Sequence, residues 1–503
     1  MKKIFTWILL ATFVISFGQN YGLDSSYGNN GRIVHTSISN TPIKVYFVNN
    51  YYFLINYNNS VVCLNYDGTI NTSFGTEGVL TFNSGNLSYL VKGSKLIGNY
   101  FYIFGQIENS VNKNGFIAKV STSGTFDTGF GVNGVLTQDF GQDEVINDLL
   151  ILNNGQLLCV GSRYQSSSNM ILSRYNQNGT IDSAFDTNGY KALTISQSNT
   201  NSGANIFNFN NNYLVVGKSF YNENSGSYFH HDLVLINLDV NGSYITSFGN
   251  GGVIKSALAG NSLGNYTVFN ATLVNNNELF FSQYYGFSFT TQINSLRKYN
   301  FNTNSITDIK EMPFSYPFYS LETNQKIYIT GTERCGSTTT SNCPRNFNLY
   351  RTDWSGNSDA TFNGTGSFSY NFFPSDLYSD DRGSVVFLHD DGKIFMAGYG
   401  YNPYSTNGTG LETIRLMEGG LNTYENDFQN DFFIYPNPSA EELNIVIGYN
   451  EVKEVKVLDL FGKEVLVFKG NVDRLNIKTL QKGLYVVQIN TGNEVYSKKF
   501  IKE

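Results

Sequence analysis

The chain has 503 residues, a formal net charge of -7, and aromatic and charged fractions of 15% each. That length exceeds one ordinary core, so two folding units, or a large repetitive unit with a small one, are expected. Short apolar runs between Gly, Asn, Ser and Thr point to an all-β protein and against disorder or a long coiled coil, and without a Lys/Arg block nucleic-acid binding has no electrostatic source.

Residues 1–18 begin with Lys2 and Lys3, run through an apolar stretch from Ile4 to Phe17, and end on the small residues Ser16 and Gly18 before Gln19. This is the form of a cleavable secretion signal, too short to span a bilayer comfortably. No later run approaches the roughly 20 apolar residues of a spanning helix, so no transmembrane helix is expected in the mature chain.

The mature chain opens on a phrase, Leu23 to Gly31, that contains Asp24 and Tyr27 and then recurs. Copies run from Gly68 to Val79 with Phe74 and Gly78, from Gly124 to Val135 with Asp127, Phe130 and Gly134, and from Gly179 to Tyr190 with Asp182 and Phe185. Two more lie at Gly242 to Val253 with Phe248 and at Gly356 to Gly366 with Asp359 and Phe362. From Tyr27 to Phe248 the aromatic anchors are 47 to 63 residues apart, whereas the step to Phe362 is 114, which calls for a degenerate copy at Asn304 to Asp308. Gly takes the positive φ of tight turns, Asp or Asn bonds a neighbouring backbone N–H, and an aromatic fills the space between sheets, so the phrase reads as structural punctuation.

Between phrases each unit carries strand, polar turn, strand, variable loop and strand. About seven such units over residues 19–418 fit a seven-bladed β-propeller, with an open β-solenoid as the competing architecture. Closure is favoured because no phrase follows the last body strand, Thr413 to Glu418, and the first phrase can take that place. The phrases, with the turn at Asp390-Asp391-Gly392-Lys393, resemble the delta-60 repeat family, which implies the bladed fold and no agreed activity.

Residues 419–432 read as a linker, and from 433 to 503 charged residues become denser and new apolar runs alternate with turns, as in a small β-sandwich. Here Tyr435-Pro436-Asn437-Pro438, a turn at Gly462, the segment through Gly483 and Tyr485, and the closing Lys498 and Lys499 resemble the type A C-terminal sorting domain of type IX secretion. The resemblance implies a Gram-negative cargo that engages the type IX machinery and ends secreted or at the cell surface.

The remaining motifs give little chemistry. Gly260 to Gly264 matches G-x-S-x-G but no helical period follows it. Gly129 to Gly134 matches G-x-G-x-x-G but is one copy of the phrase. His230 and His231 are adjacent on a strand, so they point to opposite faces and do not readily share a metal. Cys335 and Cys343 flank a polar segment and are a disulfide candidate, while Cys63 and Cys159 sit in apolar runs as small hydrophobes. Asp186 to Gly189 and Asp239 to Gly242 echo calcium loops without the twelfth-position Glu, so no cofactor is expected, calcium between blades being the alternative left open. The aromatic clusters Tyr284, Tyr285 and Phe287, and Tyr399, Tyr401 and Tyr404, fall in variable loops and are the ligand-binding candidates. The leading expectation is a binding or adhesion module for a glycan or protein; the alternative is a secreted polysaccharide hydrolase or lyase.

Overall fold

The computed structural model describes residues 20–503 apart from 83–86, 109–111, 165–166, 196–197, 199, 224–227, 259–264, 287–292, 313–317, 322–324, 332–344, 374–379, 402–408, 420–431, 436–438, 448–451, 460–461, 471, 473 and 491–494. The signal segment 1–18, the G-x-S-x-G string and the pair Cys335 and Cys343 lie outside the described residues. Every element among those described is a β-strand. The chain divides into two compact units, the second of which holds Thr423–Glu503.

In the first unit, Pro42–Val48, Tyr51–Asn56, Ser60–Asn65 and Val79–Thr81 pair in sequence order as an antiparallel meander. Five further four-stranded sheets of the same order follow at 88–138, 143–192, 200–257, 265–312 and 318–370. The seventh contains Asp381–Leu388, Ile394–Tyr401 and Thr409–Glu418, and its outer side is completed by Tyr21–Leu23 and Arg32–His35, both antiparallel to Thr409–Glu418. The middle strands are buried on both faces, which is why Tyr52-Phe53-Leu54-Ile55 and Val61-Val62-Cys63-Leu64 read as unbroken apolar runs rather than alternating ones. Neighbouring sheets share each core. Phe53 and Phe74 meet Phe101 and Phe116, Val160 meets Val215, Phe280 meets Ile327, and Leu54 and Tyr52 of the first sheet meet Phe395 and Leu411 of the last. Cys63 and Cys159 are free thiols within these cores.

The phrase has one geometry throughout. In the third sheet the Asp182 carbonyl accepts from Phe185 N, the Phe185 carbonyl accepts from Gly189 N, and Asp182 Oδ1 accepts from Ala184 N at 3.2 Å. The other oxygen of that carboxylate accepts from Arg174 Nε, eight residues earlier, at 2.7 Å. Equivalent pairs join Asp127 to Lys119 at 2.6 Å, Asp359 to Arg351 at 2.8 Å, and Asp24 to Arg415 at 2.7 Å. Where the acid is missing the cation is missing too: Asn71 faces Cys63, its Nδ2 3.5 Å from Sγ, and Ile245 is backbone-paired with Asn237. Four of the aromatic anchors pack on the glycine that opens the next copy, Tyr27 on Gly68, Phe74 on Gly124, Phe130 on Gly179 and Phe185 on Gly242. A Cβ at Gly179 would lie 3.1 Å from the Phe130 ring, on a backbone at φ +82.

The fifth sheet departs from the expected degenerate copy. Ser305–Met312 folds straight back on Ile293–Asn300 as a hairpin, with Asn304 at φ 51 and Asn300 Oδ1 accepting from Asn302 N at 2.9 Å. Without the aromatic and the two glycines the chain turns by an Asn-rich connection instead, and Phe301 supplies the packing against Phe209 and Phe248.

In the second unit, Phe432–Tyr435, Glu442–Ile447 and Arg474–Asn476 form one sheet, and Glu464–Lys469, Glu454–Leu458, Gly483–Asn490 and Val495–Lys502 form the other. Leu443, Leu475, Val455, Val487 and Phe500 fill the space between them. Tyr485 is buried there and stacks on Phe500 at 5.7 Å, while Gly462 turns at φ 78 with its N–H on the Asp459 carbonyl. Lys498 is half-buried and Lys499 exposed; Tyr435 lies in the first strand, and Pro436, Asn437 and Pro438 are outside the described residues.

Candidate binding face

Alternating strand direction sends the connections of each sheet in the first unit to two ends. The turns between first and second strands share one end with the phrases, where backbone hydrogen bonds tie neighbouring sheets together, as Gly131 N does to the Asn178 carbonyl at 2.8 Å. The connections between second and third strands emerge at the other end. They range from residues 57–59 in the first sheet to 331–346 in the sixth, and no repeated phrase constrains them.

The described members of both aromatic candidate clusters are at this second end, on different sheets. Tyr284 is half-buried in Glu278–Gly286 and Tyr285 follows it on the same strand, while Phe287 lies outside the described residues. Tyr399 is half-buried in Ile394–Tyr401, which Tyr401 ends, and Tyr404 lies outside the described residues. Tyr399 belongs to a charged cluster that motif reading missed. Arg382 Nη1 donates to the Tyr399 hydroxyl at 2.5 Å and its guanidinium lies 5.2 Å from the ring centroid. Arg382 also grips Asp380 with Nε at 2.9 Å and with Nη2, and Arg345 Nη1 reaches the same carboxylate at 2.6 Å. Burial would raise the Asp380 pKa, but hydrogen bonds and charge from the two arginines outweigh it and hold the group ionised below the usual carboxylate range. The signal was present: Asp380-Asp381-Arg382 is a charged triplet in a charge-poor chain.

Asp381 and Glu412 lie beneath that cluster and are fully buried. Asp381 Oδ2 accepts from Phe372 N at 2.7 Å. Burial first, then the neighbouring Asp381 carboxylate, pushes Glu412 up to about 11, so it stays protonated at neutral pH and bonds to Asp381 as an acid. In the third sheet Glu144 is buried opposite Arg163 at 3.6 Å. Burial pushes Glu144 up to about 7. Arg163 donates instead to the Phe140 carbonyl at 2.6 Å, below a stacked Phe140–Tyr190 pair.

His230 stacks on Tyr221 at 4.6 Å and His231 packs on Phe220 at 5.0 Å, so the adjacent imidazoles occupy opposite faces of one hairpin. Asp239 Oδ1 accepts from Asn241 N and Ser243 N at 2.8 Å each, which is turn chemistry. Among the described residues no three His, Cys, Asp or Glu side chains converge as metal ligands. At the variable end Asp380 is clamped by arginines and Asp381, Glu412 and Glu144 are buried, whereas Glu108, Asp139 and Asp143 stay accessible there beside aromatic rings, hydroxyls, amides and guanidinium edges.

Residues 433–503 match the family model described as secretion system C-terminal sorting domain. Residues 152–185 match the model described as domain of unknown function (DUF5122) beta-propeller, a stretch that covers the middle strands of the third sheet and its phrase through Asp182 and Phe185. No curated protein sequence matches the chain. Among solved structures, Drosophila Semaphorin 2a is similar at 8% identity and TM-score 0.44, over 78% of this chain and 76% of that one. The computationally designed Ika8 protein is similar at 8% identity and TM-score 0.35, over 75% of this chain and 96% of that one. The subtype N10 neuraminidase-like protein of A/little yellow-shouldered bat/Guatemala is similar at 9% identity and TM-score 0.35, over 64% of this chain and 93% of that one. The all-β meander sheets, their shared phrase and the two family matches together make this chain a repeat-built β-propeller that carries a secretion-system C-terminal sorting domain.

Proposed function

We propose that the protein is a type IX secretion cargo whose propeller works outside the cell as a non-enzymatic binding module. Residues 1–18 take it across the inner membrane, and residues 433–503 then direct it across the outer membrane, to be released or held at the surface. The observation that carries the binding reading is the contrast between the two ends of the propeller: one is fixed by a repeated hydrogen-bonded phrase, whereas the other carries connections of unequal length with aromatic, amide and arginine side chains. Ligand specificity commonly resides in loops of that kind, set on a rigid scaffold.

The propeller, purified without residues 1–18 and 433–503, is screened against a polysaccharide panel for retention and for depolymerisation. Retention without product supports the module, and product formation replaces it with the hydrolase or lyase reading. Export is tested separately: a chain lacking residues 433–503 accumulates in the periplasm, and normal surface delivery of that chain overturns the sorting role.

A further inference from the structure

The phrase ends in a tight hairpin turn whose two central residues take positive φ, the type I′ conformation. In the second sheet Val132 and Val135 exchange backbone hydrogen bonds across Asn133 and Gly134, which lie at φ 52 and 90. Asn30-Gly31 in the opening phrase and Asn188-Gly189 in the third sheet occupy the same two positions. Each time the aromatic anchor holds the glycine. The Gly31 N–H donates to the Tyr27 carbonyl at 2.7 Å, that of Gly134 to Phe130 at 2.9 Å, and that of Gly189 to Phe185 at 3.0 Å.

The fourth sheet shifts the Asn-Gly pair by one residue. Here the central residues are Gly251 and Gly252, at φ 64 and 95, and Asn250 starts the turn by exchanging hydrogen bonds with Val253. The Phe248 carbonyl accordingly accepts from Gly252 N, at 2.9 Å, and not from Gly251 N. Among the described residues neither the Gly251 N–H nor the Asn250 carboxamide has a hydrogen-bond partner, and both residues are exposed. A Cβ at Gly251 would meet nothing within 4 Å. Other Asn-Gly pairs are restrained. The N–H groups of Gly155, Gly179 and Gly242 donate to the carbonyls of Leu152, Asn176 and Asp239. Asn114-Gly115 lies in a strand paired on both sides, and Asn363 Oδ1 accepts from Tyr21 N at 2.6 Å. Asn407-Gly408 lies outside the described residues.

An asparagine carboxamide can be attacked by the backbone nitrogen of the residue that follows it, a reaction favoured because both groups belong to one short stretch of chain. A glycine in second place leaves that nitrogen unshielded by a side chain. The nitrogen must first give up its proton, so a hydrogen bond that holds the N–H opposes the attack.

We propose that Asn250 is a self-modification site, converted in the folded protein to an aspartyl or isoaspartyl residue by the backbone nitrogen of Gly251. That nitrogen loses its proton to solvent and bonds to Asn250 Cγ, the Cγ–Nδ2 bond breaks, and ammonia leaves with the proton returned. Water then opens the cyclic imide, so that water enters and ammonia departs with no change in oxidation state. Breaking the new bond to Cγ gives aspartate. Breaking the original peptide bond gives isoaspartate, which inserts a methylene into the backbone where two hydrogen bonds fix the register with Val253. Either product adds a negative charge at the end of the propeller that carries the phrases. The chemistry belongs to the turn alone, so it stands whichever ligand the variable end takes.

The test ages the full chain at neutral and mildly alkaline pH, folded and in denaturant, and follows each Asn-Gly pair by peptide mapping and mass spectrometry. In the folded chain Asn250 converts at least about tenfold faster than Asn30, Asn133 and Asn188, the rate equivalent of one N–H hydrogen bond. Its rate rises with pH, and in denaturant the four rates converge. Asn250→Thr, which supplies the residue found at this position as Thr76 and Thr187, abolishes the conversion. Gly251→Asn moves the Asn-Gly pair onto the glycine held by Phe248 and slows the conversion to the rate of Asn133. Conversion of Asn250 no faster than Asn133 in the folded chain, or the same ratio of rates folded and unfolded, overturns the site.

Discussion

Phe130 shows what one residue does in this fold. Its ring is fully buried, plugs the gap to Gly179 in the next sheet and takes Lys119 over its face at 5.9 Å. Phe130→Ala opens a cavity between two sheets rather than within one, and a loss of about 3–5 kcal/mol is expected in denaturant unfolding. A loss below about 1 kcal/mol would mean that the anchors are ornamental. Glu144 gives a residue-level pH dependence. Its carboxyl titrates near the ordinary 4.5 when unfolded and is pushed up to about 7 when folded. The folded state thus holds a proton that the unfolded state has already lost, so stability falls as pH rises from 4.5 to 7 and is level above that. Glu144→Gln removes that slope from a melting-temperature profile; an unchanged profile would place the titration elsewhere.

At the scale of the element, the phrase and the third strand of its sheet act as one unit. The acid at the phrase and the cation eight residues before it are present together or absent together. Restoring the pair in the first sheet, with Asn71→Asp and Cys63→Arg, should give a favourable coupling of roughly 1 kcal/mol or more in a double-mutant cycle, while each single change destabilises. Additive effects would show that the pair is incidental to the turn. Asp24 makes the same contact within the seventh sheet, between the first and last strands of the propeller chain. Burial would raise its pKa, but hydrogen bonds from Ser26 and the charge and hydrogen bond of Arg415 outweigh that and hold it low. Asp24→Ala leaves the fully buried Arg415 side chain without its carboxylate, a loss of about 3–5 kcal/mol in chemical denaturation, and replacing both residues with apolar ones of like volume recovers most of it.

Much of this local logic was legible in the sequence, because glycine, aspartate and an aromatic at fixed offsets can be read as a turn with a plug. Their partners were not. The cation eight residues earlier lies on the third strand and the acid lies in the turn beyond it, so the offset is set by that turn and not by a strand or helix period, and Arg415 sits 391 residues from Asp24. The anchor spacing calls for a degenerate phrase at Asn304 to Asp308, and a hairpin stands there instead, since Asn304 accepts positive φ and Asn300 caps the bend. The breaks in register on the first strands, as between Ile146 and Asp148 and between Gly203 and Asn205, were invisible for another reason: they arise between strands, and register is a property of pairs that no single segment spells out.

Across the propeller unit, the described sheets follow one another in chain order except at one seam. Tyr21–Leu23 and Arg32–His35 belong to the sheet made by residues 381–418. Removing residues 20–35 should therefore leave six sheets intact and strip the seventh of its outer cover. Limited proteolysis would then cut first within 381–418, and cleavage spread evenly over the chain would contradict the seam. The same arrangement sets a clock on biosynthesis. The segment that follows the signal is among the earliest made, yet the strand that receives it, Thr409–Glu418, is among the last of the propeller. A growing chain is thus an open arc whose leading end waits, and a chain arrested before residue 409 should remain protease-sensitive over residues 20–35 until the missing strand arrives.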